Sequence, residues 1–130
     1  MTPEERDAQL AKPLNAIVAV VRRSGGPQLT PVWFYWDGAA FYVSTTRSRG
    51  KYPNIQRHPE VSLIVDDLAA HKYVAAYGRA EIVEGDRERV VALTVPILEK
   101  YMPGKGQANA AKMEQDRVVV ILRPERIVTN

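Results

Sequence analysis

The sequence contains no cysteine, and this absence excludes several kinds of site. Without thiols the chain has no disulfide scaffold, no thiolate nucleophile, and no zinc or iron–sulfur site that uses cysteine. Histidine is nearly as scarce, since His58 and His71 are the only two and neither has metal-ligand spacing to a partner. We therefore expect no metal site. The lack of cysteine also fits a reducing cytoplasm, where we expect the protein to reside.

Long apolar runs and the common nucleotide and hydrolase motifs are absent as well. The longest apolar run, Ala16 to Val21, is far shorter than the ~20 residues that a membrane-spanning helix needs. Gly50-Lys51 is followed by Tyr52, so it is not a nucleotide P-loop. The chain also has no Gly-x-Ser-x-Gly elbow and no three-glycine dinucleotide fingerprint. We expect no membrane span and no hydrolase triad.

The 130 residues, 45% of them hydrophobic and 25% charged, are typical of one soluble globular domain, which we assign to residues 1–130. Alternating and β-branched runs predict about six strands, at 17–21, 28–36, 41–45, 61–65, 73–83 and 117–122, with a possible edge strand at 126–129. Three or four short helices are expected between them. Because most strands follow one another without crossover helices, the fold class is mainly β, an antiparallel barrel.

A positive stretch lies at 38–59. None of these 22 residues is acidic, although the chain as a whole carries 18 basic and 15 acidic side chains. Its cations are accompanied by the hydroxyls of residues 44–46 and 48 at a strand end that leads into a short helix. Guanidinium, ammonium, hydroxyl and backbone N–H groups together suit a phosphate. A solvated basic loop is the alternative; nucleic acid is a weaker candidate, because the net charge is only +3.

The tetrapeptide Trp33–Trp36 is aromatic throughout. In an extended strand Phe34 and Trp36 share one face, whereas Trp33 and Tyr35 share the other. A domain of this size cannot easily cover both faces with its own core. The excess apolar surface therefore suggests a dimer, with stacking on a ligand as the alternative.

Four segments of the chain resemble the pyridoxamine 5′-phosphate oxidase-like split β-barrel family: Ala16–Gly38, Phe41–Ile55, Arg57–Asp66 and Tyr77–Ile82. The resemblance covers most of residues 14–85 and is looser at 117–127. The triplet Arg49-Gly50-Lys51 with Asn54 is similar to the phosphate-binding motif of the branch that uses the deazaflavin coenzyme F420 instead of FMN. The family resemblance implies a Greek-key, FMN-binding-like split barrel that forms homodimers with the cofactor between protomers.

The resemblance also implies roles for individual residues. The phosphate would be held by Arg49 and Lys51, and the ring would lie along the backbone of β-strand residues 31–33. Tyr73, with His71 as a further candidate, would come from the other subunit. The full set of expected cofactor-binding residues is Pro31, Val32, Trp33, Ser44, Thr45, Thr46, Arg49, Lys51, Asn54 and Tyr73.

Reduced F420 is an obligate hydride donor, so the expected activity is hydride transfer to an electron-poor unsaturated small molecule. No catalytic residue is identified; Tyr35 and Tyr73 are candidates for the proton donor, with a structural hydrogen bond as the alternative role for both. Two other functions stay open: an FMN-binding oxidoreductase of the same fold, and a cofactor-binding protein without turnover.

Overall fold

In the computed structural model, which describes all of residues 1–130, seven antiparallel strands form one curled sheet accompanied by four helices. The helices are α1 (Pro3–Leu10), α2 (Lys51–Arg57), α3 (Arg87–Tyr101) and α4 (Gly106–Ala111). The strands are β1 (Ala16–Val20), β2 (Gln28–Val32), β3 (Tyr35–Trp36), β4 (Phe41–Thr46), β5 (Glu60–Asp67), β6 (Lys72–Val83) and β7 (Arg117–Thr129). The mainly β fold class is confirmed.

The sheet closes on itself through one short segment of chain. Its strand order is β2-β1-β5-β6-β7-β4-β3, so β2 and β3 lie at opposite edges. In the sequence, however, only Trp33 and Phe34 separate these two strands. The segment therefore pairs with β1 in its first half and with β4 in its second half, which brings both edges together. This is the split β-barrel that the sequence predicts.

The single strand predicted at 28–36 is thus wrong in one respect, because it is interrupted at Trp33–Phe34. The N–H of Phe34 donates to the Tyr101 hydroxyl at 3.2 Å, and its carbonyl accepts from Nζ of Lys100 at 3.1 Å. Both partners lie on α3. Helix α3 therefore takes the backbone hydrogen bonds that a neighbouring strand would otherwise satisfy.

These and neighbouring contacts cover most of the aromatic surface of Trp33–Trp36 within one chain. Phe34 is fully buried, and the Trp33 ring stacks on Tyr101 with centroids 4.5 Å apart. Trp36 packs against Phe41 and donates from Nε1 to Asp7 of α1 at 2.9 Å. Trp33 is still 42% exposed, so the dimer that Trp33–Trp36 suggests stays a prediction, although this chain covers most of that surface itself.

Inside the barrel, alternate residues of the strands form the main core. In β1, for example, Ala16, Val18 and Val20 are buried whereas Ile17 is exposed, as expected for a strand with one face on the core. A smaller cluster, which includes Val90 of α3 and Val119 of β7, fixes α3 to the outside of the sheet. The core therefore holds α3 beside β4 and β7, where the candidate site lies.

A bulge in β7, where Glu125 is the extra residue, lies next to Pro124 and opposite Gly78 of β6. The register shifts between Tyr77 and Gly78, and Gly78 pairs with Pro124 of β7. A Cβ atom on Gly78 would lie only 2.2 Å from the carbonyl oxygen of Arg123, so this position requires glycine. A glycine inside a strand predicts a bulge or a close backbone approach, and the structure shows both. Because the bulge tolerates a residue without an N–H, β7 continues past Pro124 as one strand instead of the predicted two segments.

Candidate functional site

A cavity of about 440 Å³ lies beside β2 and the end of β4, between the start of α2 and helices α3 and α4. Seven of the ten residues expected to bind the cofactor line it: Pro31, Val32, Trp33, Ser44, Thr45, Arg49 and Lys51. In the strand order of the sheet, β2 and β4 lie far apart. The break at Trp33–Phe34 bends the chain, so that both strands border the same cavity. The fold therefore gathers two sequence segments, 31–33 and 44–51, at one place.

Lys51 is the main electrostatic feature of the cavity. It is the first residue of α2 and only 6% exposed, yet its ammonium group has no hydrogen-bond or ion-pair partner. Burial lowers its pKa, and the nearby charge of Arg49 lowers it further. The Arg49 side chain makes no ion pair either. Two cations that repel each other and lack a carboxylate partner create an environment that favours an anion.

Thr45 supplies a second polar group without a partner. Its Oγ1 is the one buried side-chain oxygen or nitrogen in the protein that makes no hydrogen bond. The residue is 2% exposed and lines the same cavity as Lys51. Buried hydroxyls are normally satisfied, so an orphaned one beside an unpaired ammonium indicates a missing acceptor. A phosphate provides such an acceptor, and this donor set therefore fits the phosphate of a flavin-type cofactor.

Asn54 lies outside the cavity and holds α2 in place. Its Nδ2 donates to Oε1 of Gln28 at 3.3 Å, and its Oδ1 accepts from Arg57 at 2.7 Å. The bond to Gln28 ties the helix that begins with Lys51 to the start of β2, whereas the bond from Arg57 lies within the helix. In this structure Asn54 therefore acts on the site through Lys51, and a direct contact with the cofactor stays a prediction.

Thr46 and Tyr73 also lie outside the cavity lining. The Thr46 hydroxyl is hydrogen-bonded to that of Ser48 at 2.9 Å. Tyr73 is the second residue of β6, and its N–H donates to Oδ1 of Asn130 at 2.8 Å. Since Tyr73 is expected to reach the site from a second subunit, its role stays a prediction. Tyr35 lines a different cavity, next to Lys100.

Helices α3 and α4 form a cavity wall that the sequence does not predict. The cavity-lining residues outside the expected set are Thr30, Thr94, Ile97, Leu98, Met102, Asn109, Met113, Glu114 and Arg117. The helix periodicity of α3 predicts that Ile97 faces the protein, but nothing local shows that this face meets β4. The wall is mainly apolar and opposes the cationic end, so the cavity suits a ligand with one anionic and one apolar part.

Glu99 fixes α4 against α3. Its carboxylate accepts hydrogen bonds from the N–H groups of Gly104 and Gly106 at 2.5 and 2.9 Å. These backbone bonds lower the pKa of Glu99, so it is ionised at neutral pH. A Cβ on Gly106 would lie 2.9 Å from the Val95 carbonyl oxygen, which shows how closely the two helices approach. Helices α3 and α4 are therefore packed tightly against each other where they form the apolar wall.

A second notable surface is the outer face of β2, β1, β5 and β6. Large apolar side chains are exposed there, with Leu29 at 64%, Tyr77 at 48%, Ile17 at 38% and Ile64 at 37%. Together with Ala75 they border a shallow depression of about 220 Å³. Strand β2 contributes to both features, because Thr30, Pro31 and Val32 line the cavity. Exposed apolar side chains are thus grouped on one face of the sheet instead of being scattered singly.

No three His, Asp or Glu side chains are grouped so that they could hold a metal ion. None of the four helices combines the length and the hydropathy required to cross a membrane.

The chain belongs to the pyridoxamine 5′-phosphate oxidase family, whose model matches residues 2–130. This confirms the resemblance drawn from the sequence. None of the curated proteins matches the chain. The family includes oxidoreductases, and its fold binds flavin-type cofactors.

Solved structures with this fold include two that share a quarter or more of their residues with the chain. A conserved hypothetical protein from Mycobacterium tuberculosis has 25% identity and a TM-score of 0.86, over 99% of this chain and 84% of that one. A protein described as an F420 reductase has 28% identity and a TM-score of 0.74, over 94% of both chains. General Stress Protein 26 from Bacillus anthracis, with 18% identity and a TM-score of 0.72, covers 98% of this chain and 92% of its own; it supports the fold alone.

Proposed function

We propose that the protein is an oxidoreductase that uses coenzyme F420 and reduces an electron-poor unsaturated small molecule. The observation that carries this proposal is the cationic end of the cavity, where Lys51, only 6% exposed and without a protein partner, and the unpartnered buried hydroxyl of Thr45 line the same space. Such groups destabilise the protein unless a ligand satisfies them. The F420 reductase among the structural neighbours favours the deazaflavin over other phosphate-bearing cofactors.

The residues of the chain would divide the work of binding between the two ends of the cavity. Lys51 and Arg49 neutralise the phosphate, and the Thr45 and Ser44 hydroxyls donate to its oxygens. The backbone of residues 31–33 lies along the ring system. When bound, reduced F420 supplies a hydride, and the apolar wall of α3 and α4 keeps water from the reacting face.

We further propose that two copies associate through the outer apolar face. Leu29 and Tyr77 expose surface that a second copy would remove from water. Because β2 forms both this face and one wall of the cavity, a second copy seated there would lie next to the cavity opening. That arrangement would allow Tyr73 from the other subunit to complete the site, as the family resemblance implies.

An FMN-dependent oxidoreductase is the second candidate. It is favoured by the family model itself, which is described as pyridoxamine 5′-phosphate oxidase. The cationic end accommodates the phosphate of either cofactor. A protein that binds the cofactor without turnover is the third possibility, since the cavity contains a binding site but no evident proton donor.

Parallel titrations of cofactor-free protein with F420 and with FMN test these alternatives. Trp33 lines the cavity, so its fluorescence should report binding. Tighter binding of F420, followed by oxidation of the reduced coenzyme with unsaturated acceptors, is the expected result. Tighter binding of FMN would transfer the protein to the second candidate, and binding without any turnover to the third. Binding of neither would refute the cofactor assignment.

A further inference from the structure

Arg117 lies at the cationic end of the cavity, although it is outside the basic stretch and outside the set of residues that the family resemblance assigns to the cofactor. It is the first residue of β7, paired in register with Thr46 of β4, and it lines the cavity with Arg49 and Lys51. Its side chain is only 21% exposed. The β4–β7 ladder therefore adds a third cation to a site whose other two lie in a distant part of the sequence.

The Arg117 guanidinium is held from two sides. Its Nε and Nη2 donate to one carboxylate oxygen of Glu114, Oε2, at 3.0 and 2.5 Å. Its Nη1 reaches Ser44 Oγ at 3.4 Å, a long bond. One edge of the guanidinium is thus occupied by a carboxylate, and the other edge points at a hydroxyl of the proposed phosphate site.

The Glu114 carboxylate lies at the cationic end of the cavity, where we propose that an anionic ligand binds. It lines the same cavity, and its bonds with Arg117 lower its pKa, with a smaller contribution from the charge of Arg49. Its side chain is nevertheless 58% exposed, so the carboxylate can return to water with little loss. With Glu114 in place, the three cations of the cavity carry only one opposing charge.

We propose that Arg117 is a third cationic ligand of the phosphoryl group, and that Glu114 holds its guanidinium in position until that group displaces the carboxylate. A guanidinium binds carboxylate and phosphate through the same planar fork, so the exchange needs no new side-chain geometry. This inference rests on the anion-binding part of the proposed function. The identity of the cofactor does not affect it.

Calorimetric titration of four variants with inorganic phosphate, F420 and FMN tests the exchange. Arg117→Gln should weaken binding roughly 10- to 100-fold, the loss expected for a hydrogen bond to a charged group. Glu114→Gln should tighten it by about 3-fold or more, because the competing charge is removed. The matched controls are Arg123→Gln and Glu81→Gln, which remove the members of an exposed ion pair with a 3.0 Å bond outside the cavity. Both should leave affinity unchanged.

The alternative hypothesis is that the Glu114–Arg117 ion pair only stabilises the turn before β7. In that case Glu114→Gln would bind phosphate no more tightly than Glu81→Gln, and the exchange would be overturned. Should Arg117→Gln fail to fold, the NMR signal of the Arg117 Nε–H in ¹⁵N-labelled wild-type protein replaces it. A shift on addition of inorganic phosphate supports the proposal, and no shift overturns it. If phosphate moves this signal while neither F420 nor FMN binds, the proposed function fails and the anion site stands.

Discussion

Replacement of Lys51 by methionine should stabilise the cofactor-free protein and weaken cofactor binding at the same time. The side chain is 6% exposed, its pKa is lowered by burial and by Arg49, and it has no partner that would offset the loss of hydration. Methionine fills a similar volume without a charge. If the ammonium is present to bind a ligand, its removal should relieve a destabilising feature of the fold.

The size of both effects follows from ordinary magnitudes. Exchange of buried ion pairs for apolar side chains stabilises proteins by about 1–4 kcal/mol in favourable cases, and we expect a gain of the same order for Lys51. A gain of 1 kcal/mol raises Tm by about 3–5 °C in a domain of this size. Loss of a charge-assisted bond costs about 1.5–3 kcal/mol of binding, roughly 10- to 100-fold in Kd. At a cofactor concentration of about 100 times the wild-type Kd, stabilisation by the cofactor should fall from about 2.7 to about 0.4–1.4 kcal/mol.

Thermal unfolding with and without cofactor measures both quantities in one experiment. We expect Lys51→Met to melt above wild type without cofactor and to gain less from its addition. Lys105→Met, which removes an exposed lysine from the start of α4, is the matched control and should change neither. Because the folded pKa of Lys51 lies below its ordinary value of 10.5, the folded protein binds this proton less tightly than the unfolded chain. The advantage of methionine should therefore shrink as pH rises towards 10.5.

The reasoning is refuted if Lys51→Met melts below wild type without cofactor while the control does not. That result would make Lys51 a structural residue. Unchanged cofactor affinity would separately refute its assignment to the phosphate.

Three further predictions concern other parts of the molecule. Thr45→Val should leave Tm unchanged or higher, because its hydroxyl has no partner to lose, while titration shows weaker cofactor binding. Gly78→Ala should destabilise the fold by more than about 3 kcal/mol in urea, since its Cβ would meet backbone, whereas Gly26→Ala, in open space, should not. Leu29→Glu should shift sedimentation from dimer to monomer without unfolding; a wild-type monomer would contradict the proposed interface.

Features set by neighbouring residues could be read from the sequence. Thr2, Pro3 and Glu5 predict a capping box at the start of α1, and the structure confirms it. The Asp37-Gly38 turn forms because Asp37 Oδ1 accepts from the N–H groups of Ala39 and Ala40. In each case the donors and acceptors lie within three residues of each other, so the local sequence alone determines the outcome.

Features set by contacts between distant parts of the chain could not be predicted from the sequence. The break at Trp33–Phe34 depends on Tyr101 and Lys100, and neither the strand pattern nor the helix pattern indicates that they meet. The α3–α4 wall and Arg117 were missed for the same reason. Residues 44–51 carry the cationic part of the site in one local stretch, which is why that part was predictable while the wall opposite was not.

Lys100 shows why the absence of a partner, and not burial alone, distinguishes the binding lysine. Burial lowers the pKa of Lys100 to about 8, a clear departure from its ordinary value. Yet its Nζ donates to the carbonyl oxygens of Leu10 and Phe34 at 2.8 and 3.1 Å, and lies 3.4 Å from the centre of the Phe34 ring. These groups satisfy the ammonium within the fold and join α3 to α1 and to the interrupted segment. The Lys51 ammonium has no such partner in the protein, so its charge is available for an anionic ligand to neutralise.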